Sequence, residues 1–144
     1  MVKHKRKKQK FIYEYKPPTP EYIYNSNFNL CIKESNIKYG GLGVFSNQFI
    51  EKNQHLGNYI GDMKEDGRFT CGVYAVTLES NNFIDAFQYP RTIFAMINDA
   101  RFSEFSYNCE FRIFSNRAEV WSIRNINVND ELYFNYGNSY WKYR

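Results

Sequence analysis

Residues 131–141 read ELYFNYGNSYW. Five of these eleven residues are aromatic, and they stand almost at the end of a 144-residue chain. Chain ends are ordinarily polar and loosely held. An aromatic cluster there implies that this segment belongs to a core or to a binding surface. The rest of the chain has the same bias: 13 Tyr, 13 Phe and 2 Trp make 19% of it aromatic. That content suits β-sheet and stacking surfaces.

Outward from this segment, strand signals dominate. FNLCIKES (28–35), GVFSNQFI (43–50), HLGNYIGDM (55–63) and VYAVTLES (73–80) alternate or carry β-branched and aromatic residues. Asn81 and Asn82 stand between two strand-like runs, and Asn tolerates positive φ, so a tight hairpin is expected there. A second hairpin is expected in CEFRIFSNRAEVWSIRNI (109–126), turning at residues 115–118. TIFAMINDARF (92–102) is the one segment expected to form a short helix. His55 falls in KNQHLGN, which reads as a turn. The class is mostly β, in a single domain with one core.

The formal charge of +4 conceals two electrostatic parts. Residues 3–10, KHKRKKQK, hold six Lys or Arg and no acid; removing six from 19 leaves 13 basic against 15 acidic residues, about −2 for the remainder. The body is therefore not a basic nucleic-acid platform. The run at 3–10 suits nuclear import or phosphate contact, or simply a solvated tail. KPPTP (16–20) reads as a stiff linker, so residues 1–20 form tail and linker and the domain occupies 21–144, its structure starting near Tyr22. Three widely spaced cysteines, Cys31, Cys71 and Cys109, form no CxxC pair; this argues against a zinc cluster and for a reducing compartment. With no bilayer-length apolar stretch, the expectation is a soluble, intracellular protein with no membrane contact.

Several chemistries fail on the residues. YGGLGVF (39–45) is not a dinucleotide fingerprint, because Ser46 stands where the last Gly should be, and no phosphate-binding Gly-Lys-Ser/Thr occurs. His4 and His55 are the only histidines, and no nucleophilic triad can be assembled around them. Nothing positions two acids for glycosidase chemistry. Taken alone, YGGLGVF is a glycine turn before a strand, and Tyr59 with Gly61 in NYIGDM is a surface tyrosine at a bend. Asn98, Asp99 and Asn108 are polar groups in apolar context, and buried polar groups need partners.

The order of these segments says more than any one of them. GGLGVFS, YIGD, a Tyr74-x-x-x-Leu78 pair, NNFIDA, IND, NCEF and NDELYFNYG follow one another over about residues 29–141. This series resembles the SET domain, the protein lysine methyltransferase fold that uses S-adenosylmethionine; NDELYFNYG resembles that family's G-E-E-L-x-F-D-Y-G. The resemblance implies small curved β-sheets around a C-terminal pseudoknot, with few short helices, where AMINDA (95–100) and YFNYG (133–137) meet.

It further implies roles for named residues. Tyr136 and Tyr59 would be catalytic, with Tyr59 and Phe134 lining the lysine channel. Phe134, lacking a hydroxyl, would leave room for di- or trimethylation. Gly41, Leu42, Gly43, Tyr74, Asn98, Asp99, Tyr136 and Trp141 would bind S-adenosylmethionine, with Trp141, alone or with Tyr140, stacking on the adenine or roofing the channel in place of the family's zinc-bound C-terminal segment. No metal is expected. The implied substrate is a basic protein, a histone tail first of all, with DNA or nuclear-import contact through residues 3–10 and a homodimer as a way to close the channel. A small stand-alone SET protein of this kind resembles those of large DNA viruses, some protists and bacteria; the expected location is the nucleus, to which the basic run would send it, or, for a viral protein, the host nucleus or the virion. The chain departs from the family in two places. Asp99 stands where the family has His, and Ala95 stands where an Arg often pairs with the cofactor carboxylate; Arg91, Lys38 or another base could compensate. These departures leave a catalytically silent module, binding a basic peptide or nucleic acid, as the alternative.

Overall fold

The computed structural model describes residues 20–65 and 72–137. Among them are twelve short strands and one turn of 3₁₀ helix, arranged as five small sheets. Strands β1 (Tyr22–Ile23), β2 (Leu30–Glu34), β3 (Leu42–Ser46) and β4 (His55–Tyr59) come first. Then follow β5 (Asp62–Lys64), β6 (Ala75–Thr77), β7 (Phe83–Asp85) and β8 (Arg91–Thr92). After the 3₁₀ turn (Ile93–Met96) come β9 (Asn98–Asp99), β10 (Cys109–Ile113), β11 (Ala118–Ser122) and β12 (Tyr133–Phe134).

The expected hairpins form. β10 and β11 pair antiparallel from Cys109↔Ser122 to Ile113↔Ala118, closed by Phe114 N–H donating to the Arg117 carbonyl. β11 alternates as the pleat requires: Ala118, Val120 and Ser122 are buried, while Glu119 and Trp121 lie on the outer face. β4 completes this sheet on the far side of β11. β6 and β7 join through the Asn81–Asn82 turn, where Asn81 takes φ 67°. β5 pairs with the other edge of β7.

Two sequence expectations are refined. His55 is the first residue of β4, not part of a turn, and its ring stacks on Trp121 at 5.1 Å. The segment 92–102 forms only four helical residues. Thr92 caps that turn by accepting from Phe94 N–H, and Ile97 is already extended (φ −73°, ψ 125°). Two β-branched residues, Ile93 and Ile97, bracket it, and the chain passes directly into β9.

β9 meets the C-terminal β12 in parallel, with Asn98↔Tyr133 and Asp99↔Phe134 in register. The opposite side of this segment is held by β3: Leu132 N–H donates to the Val44 carbonyl, and Glu131 bridges Phe45. Asn108 adds a side-chain clasp, donating to the Glu131 carbonyl at 2.8 Å and accepting from Tyr133 N–H at 2.8 Å. The turn leading in has Asn129 at φ 72°. AMINDA and YFNYG therefore do meet. The core beneath them is fully buried Phe94, Phe134, Ile50, Leu56, Ile126 and Leu132. Burying one such side chain is worth roughly 1.5–3 kcal/mol, so the knot is held by packing as well as by its ladder.

Candidate active site

Tyr136 is fixed at both ends. Its backbone N–H donates to Asp99 Oδ2 at 2.8 Å, and its hydroxyl donates to the Ile97 carbonyl at 2.5 Å. Asp99 is itself buried, and its other oxygen accepts from Arg101 N–H at 2.7 Å. Asp99 thus serves as an acceptor for two backbone amides. Charge-assisted bonds of this kind are stronger than neutral ones.

Tyr59, 4% exposed, closes β4. Its hydroxyl donates to the Tyr74 carbonyl at 2.6 Å. Burial pushes its ionisation far above the ordinary tyrosine range; the neighbouring Tyr136 adds to this, and the Arg91 charge only partly offsets it. Tyr59 therefore stays a neutral phenol. Its ring meets Phe111 edge-on at 5.6 Å, and Phe111 stacks on Phe134 at 4.2 Å. Tyr59, Phe111 and Phe134 form one aromatic wall, with Tyr136 packed against the same core.

Both phenols have given their hydrogens to carbonyls. A hydroxyl has one donor and two acceptor lone pairs. With its hydrogen donated, each oxygen meets a ligand as an acceptor, which suits a cation or an amine N–H.

The glycine turn forms a second cluster. Gly41 sits at φ +65°, and a Cβ built there would meet nothing within 4 Å. That is open space beside bare backbone. Gly43 is the reverse: a Cβ would lie 2.1 Å from Glu131 Oε1, so no side chain fits. Glu131, 3% exposed, accepts from the Ser35 hydroxyl at 2.7 Å, Asn36 N–H at 2.8 Å, the Tyr133 hydroxyl at 2.8 Å and Asn98 Nδ2 at 3.4 Å. Asn98 Nδ2 also donates to the Leu42 carbonyl at 2.9 Å. Leu42 and Asn98 are thereby bonded to each other beside a buried carboxylate, Gly41 is tied in by its carbonyl, which accepts from Ser35 N–H at 2.8 Å, and Gly43 packs on the same carboxylate.

A model of the SET domain matches residues 41–137. The chain belongs to the SET-domain family. No curated protein matches it. Among solved structures, this SET domain is similar to an active polycomb repressive complex 2 in the stimulated state, at 22% identity and a TM-score of 0.61. It is similar also to ctPRC2 in an autoinhibited conformation bound to S-adenosylmethionine, at 21% identity and 0.61, and to the Chaetomium thermophilum polycomb repressive complex 2, at 22% and 0.61. Each comparison covers 77% of this chain and 15% of the other, and at this identity the likeness is one of fold.

S-adenosylmethionine is the cofactor of SET-domain methyltransferases, and the described residues of this SET domain fit it. Gly41 leaves backbone uncovered by any side chain, and the two acceptor-only phenols suit a positively charged sulfur. No cluster of His, Cys, Asp or Glu among the described residues could hold a metal ion.

The polar and ring contacts of Tyr74 run to Tyr59, Phe87 and Arg91. Trp141 and Tyr140 lie outside the described residues, as does the basic run at 3–10. Neither candidate base replaces the missing arginine in an evident way: Lys38 lies over the Tyr39 ring at 5.2 Å, and Arg91 is buried among aromatic rings. Sequence reasoning missed two residues. Phe111 follows a strand alternation with Cys109 and Ile113, but only the pairing of β10 with β11 brings it to the wall. Glu131 was legible as part of NDEL, though not as the carboxylate beneath Gly43.

Proposed function

We propose that this SET domain transfers methyl groups from S-adenosylmethionine to the ε-amine of a protein lysine. The observation that carries the reading is the pair of acceptor-only phenols, Tyr59 and Tyr136, against the Phe111–Phe134 wall. When bound, the cofactor supplies an electrophilic methyl group on a cationic sulfur. The chain's own residues supply alignment and dryness. A lysine ammonium has a reference pKa of about 10.4, and only the neutral amine is a nucleophile. An apolar wall disfavours the charged form. Once the proton has left for solvent, Tyr59 and Tyr136 oxygens accept the amine N–H bonds and aim its lone pair, which is chiefly a gain in orientation. Neither is needed as a base, and the neutral state of Tyr59 agrees with that. The wall also favours a methylated cation through its π faces.

Finer features follow from the same residues. Phe134 offers no hydroxyl to restrain a methylated amine, which favours di- and trimethyl products. The slightly acidic body favours a basic segment such as a histone tail, and residues 3–10 favour a nuclear location. The roles of Gly41, Leu42, Asn98 and Trp141 toward the cofactor belong to this proposal.

The test is transfer of labelled methyl to core histones and to total lysate, with Tyr136→Phe beside the wild type. Loss of one hydrogen bond made to the reacting amine lowers the rate about tenfold or more. Histone label that falls by that amount in the variant supports the reading. Label confined to a non-histone band redirects the substrate. No label anywhere, with no thermal stabilisation by S-adenosylhomocysteine, overturns the enzyme reading in favour of a silent binding module.

A further inference from the structure

Arg91 is 5% exposed, yet no carboxylate pairs with it among the described residues. Burying a guanidinium without a counter-ion is costly. Its charge is met by carbonyls and rings, and at longer range by the Asp85 carboxylate, which it helps hold below the usual range. Nε donates to the Ala86 carbonyl at 2.8 Å and Nη2 to the Phe87 carbonyl at 2.5 Å. Nη1 donates to the Tyr89 hydroxyl at 3.1 Å. The guanidinium carbon lies 3.9 Å from the Tyr74 ring centre and 4.2 Å from that of Tyr89. Two of its donors are engaged by local backbone and one by the Tyr89 hydroxyl, and the Tyr74 and Tyr89 rings lie against it, so it is held within the fold.

Its contacts lead to Tyr59 by two routes. The Tyr74 carbonyl that receives the Tyr59 hydroxyl at 2.6 Å also accepts from Ala86 N–H at 3.1 Å. Arg91 holds the ring of the first residue and the carbonyl of the second. It thus contacts both residues, Tyr74 and Ala86, whose backbone bond fixes the carbonyl that receives the Tyr59 hydroxyl. A planar, five-donor guanidinium can do both at once; a lysine ammonium cannot.

We propose that Arg91 is a positioning residue for the methyl transfer: by clamping Tyr74 and Ala86 it sets the carbonyl that orients the Tyr59 hydroxyl toward the amine. The inference rests on the methyl-transfer reading for its purpose, but its geometric content stands apart from activity.

The experiment compares the full chain with Arg91→Lys, which keeps the charge and removes the planar clamp. A crystal structure of the variant reads the Tyr59 hydroxyl–Tyr74 carbonyl distance, calorimetry reads S-adenosylhomocysteine affinity, and methyl transfer reads kcat and product distribution. Expected are a distance beyond hydrogen-bond range, cofactor-product affinity within about twofold of wild type, a kcat lower by about tenfold and an altered methyl distribution. A retained 2.6 Å bond with wild-type kcat overturns the proposal, as does a loss of S-adenosylhomocysteine affinity at unchanged kcat, which would make Arg91 a cofactor ligand. If the variant does not fold, Tyr74→Leu removes the ring at a partly exposed position and keeps the carbonyl; unchanged kcat there overturns the proposal. If the wild type itself transfers no methyl, the methyl-transfer reading fails, and the Tyr59–Tyr74 distance in the variants alone decides the positioning claim.

Discussion

Phe134 is fully buried and stacked on Phe111, two residues before the tyrosine that meets Ile97. A hydroxyl placed on this ring enters a packed, dry site and must find an acceptor or a water there. The same hydroxyl would restrain a methylated amine. Phe134→Tyr is therefore expected to shift products from di- and trimethyl toward monomethyl-lysine, read by mass spectrometry of a peptide substrate, with some stability lost to overpacking, about 1–3 kcal/mol. An unchanged methyl distribution would contradict the role assigned to this ring. At this scale the sequence was informative where a residue stands inside a motif. Tyr136, Phe134, Tyr59 and the glycines could be picked out by type and order. Phe111 could not, because its part depends on a cross-strand neighbour. Arg91 was visible only as a nearby base; its burial among Tyr74 and Tyr89 depends on a fold that no local pattern encodes.

The pairing of β9 with β12 is the element on which the site turns. Two residues from the middle of the chain run parallel to two near its end, and a two-residue ladder is too short to hold itself. Side chains secure it: Asn108 clasps the Glu131 carbonyl and Tyr133 N–H, and Asp99 accepts from Tyr136 and Arg101. Asp99→Ala leaves two backbone donors without that acceptor, each worth about 1–3 kcal/mol if left buried and unpaired. The expected result is a lowered Tm together with methyl transfer reduced at least about tenfold. Asp99→Asn, which keeps an acceptor oxygen, should fall between the two. Wild-type Tm and kcat in Asp99→Ala would contradict the role given to the carboxylate. Elements were legible where local chemistry decides them, as at the Asn81–Asn82 turn and the β10–β11 hairpin. Helix content was overstated over 92–102 because the ladder with β12, a tertiary contact, claims Asn98 and Asp99 for a strand. His55 reads as a turn residue until Trp121, on another strand, offers its ring face.

Across the whole molecule, one threaded segment, residues 131–136, reaches the glycine cluster through Glu131 and carries Tyr136 of the tyrosine pair. Glu131 anchors the turn at Gly43 and contacts Asn98; five residues later Tyr136 reaches the Ile97 carbonyl. A buried carboxylate and a half-buried phenol thus hold in register the surface suited to a cofactor and the wall suited to an amine. The topology itself, a late strand enclosed between β3 and the 98–108 segment, followed from family resemblance and from no periodicity in the residues. No helix among the described residues is long and apolar enough to cross a membrane. The most direct measurement is a crystal structure with S-adenosylhomocysteine and a lysine peptide. It is predicted to show the sulfur and the ε-nitrogen meeting between the Tyr59 and Tyr136 hydroxyls, with the cofactor product over Gly41 and Asn98. Ligands bound away from those two hydroxyls, with Tyr136 turned to solvent, would contradict it.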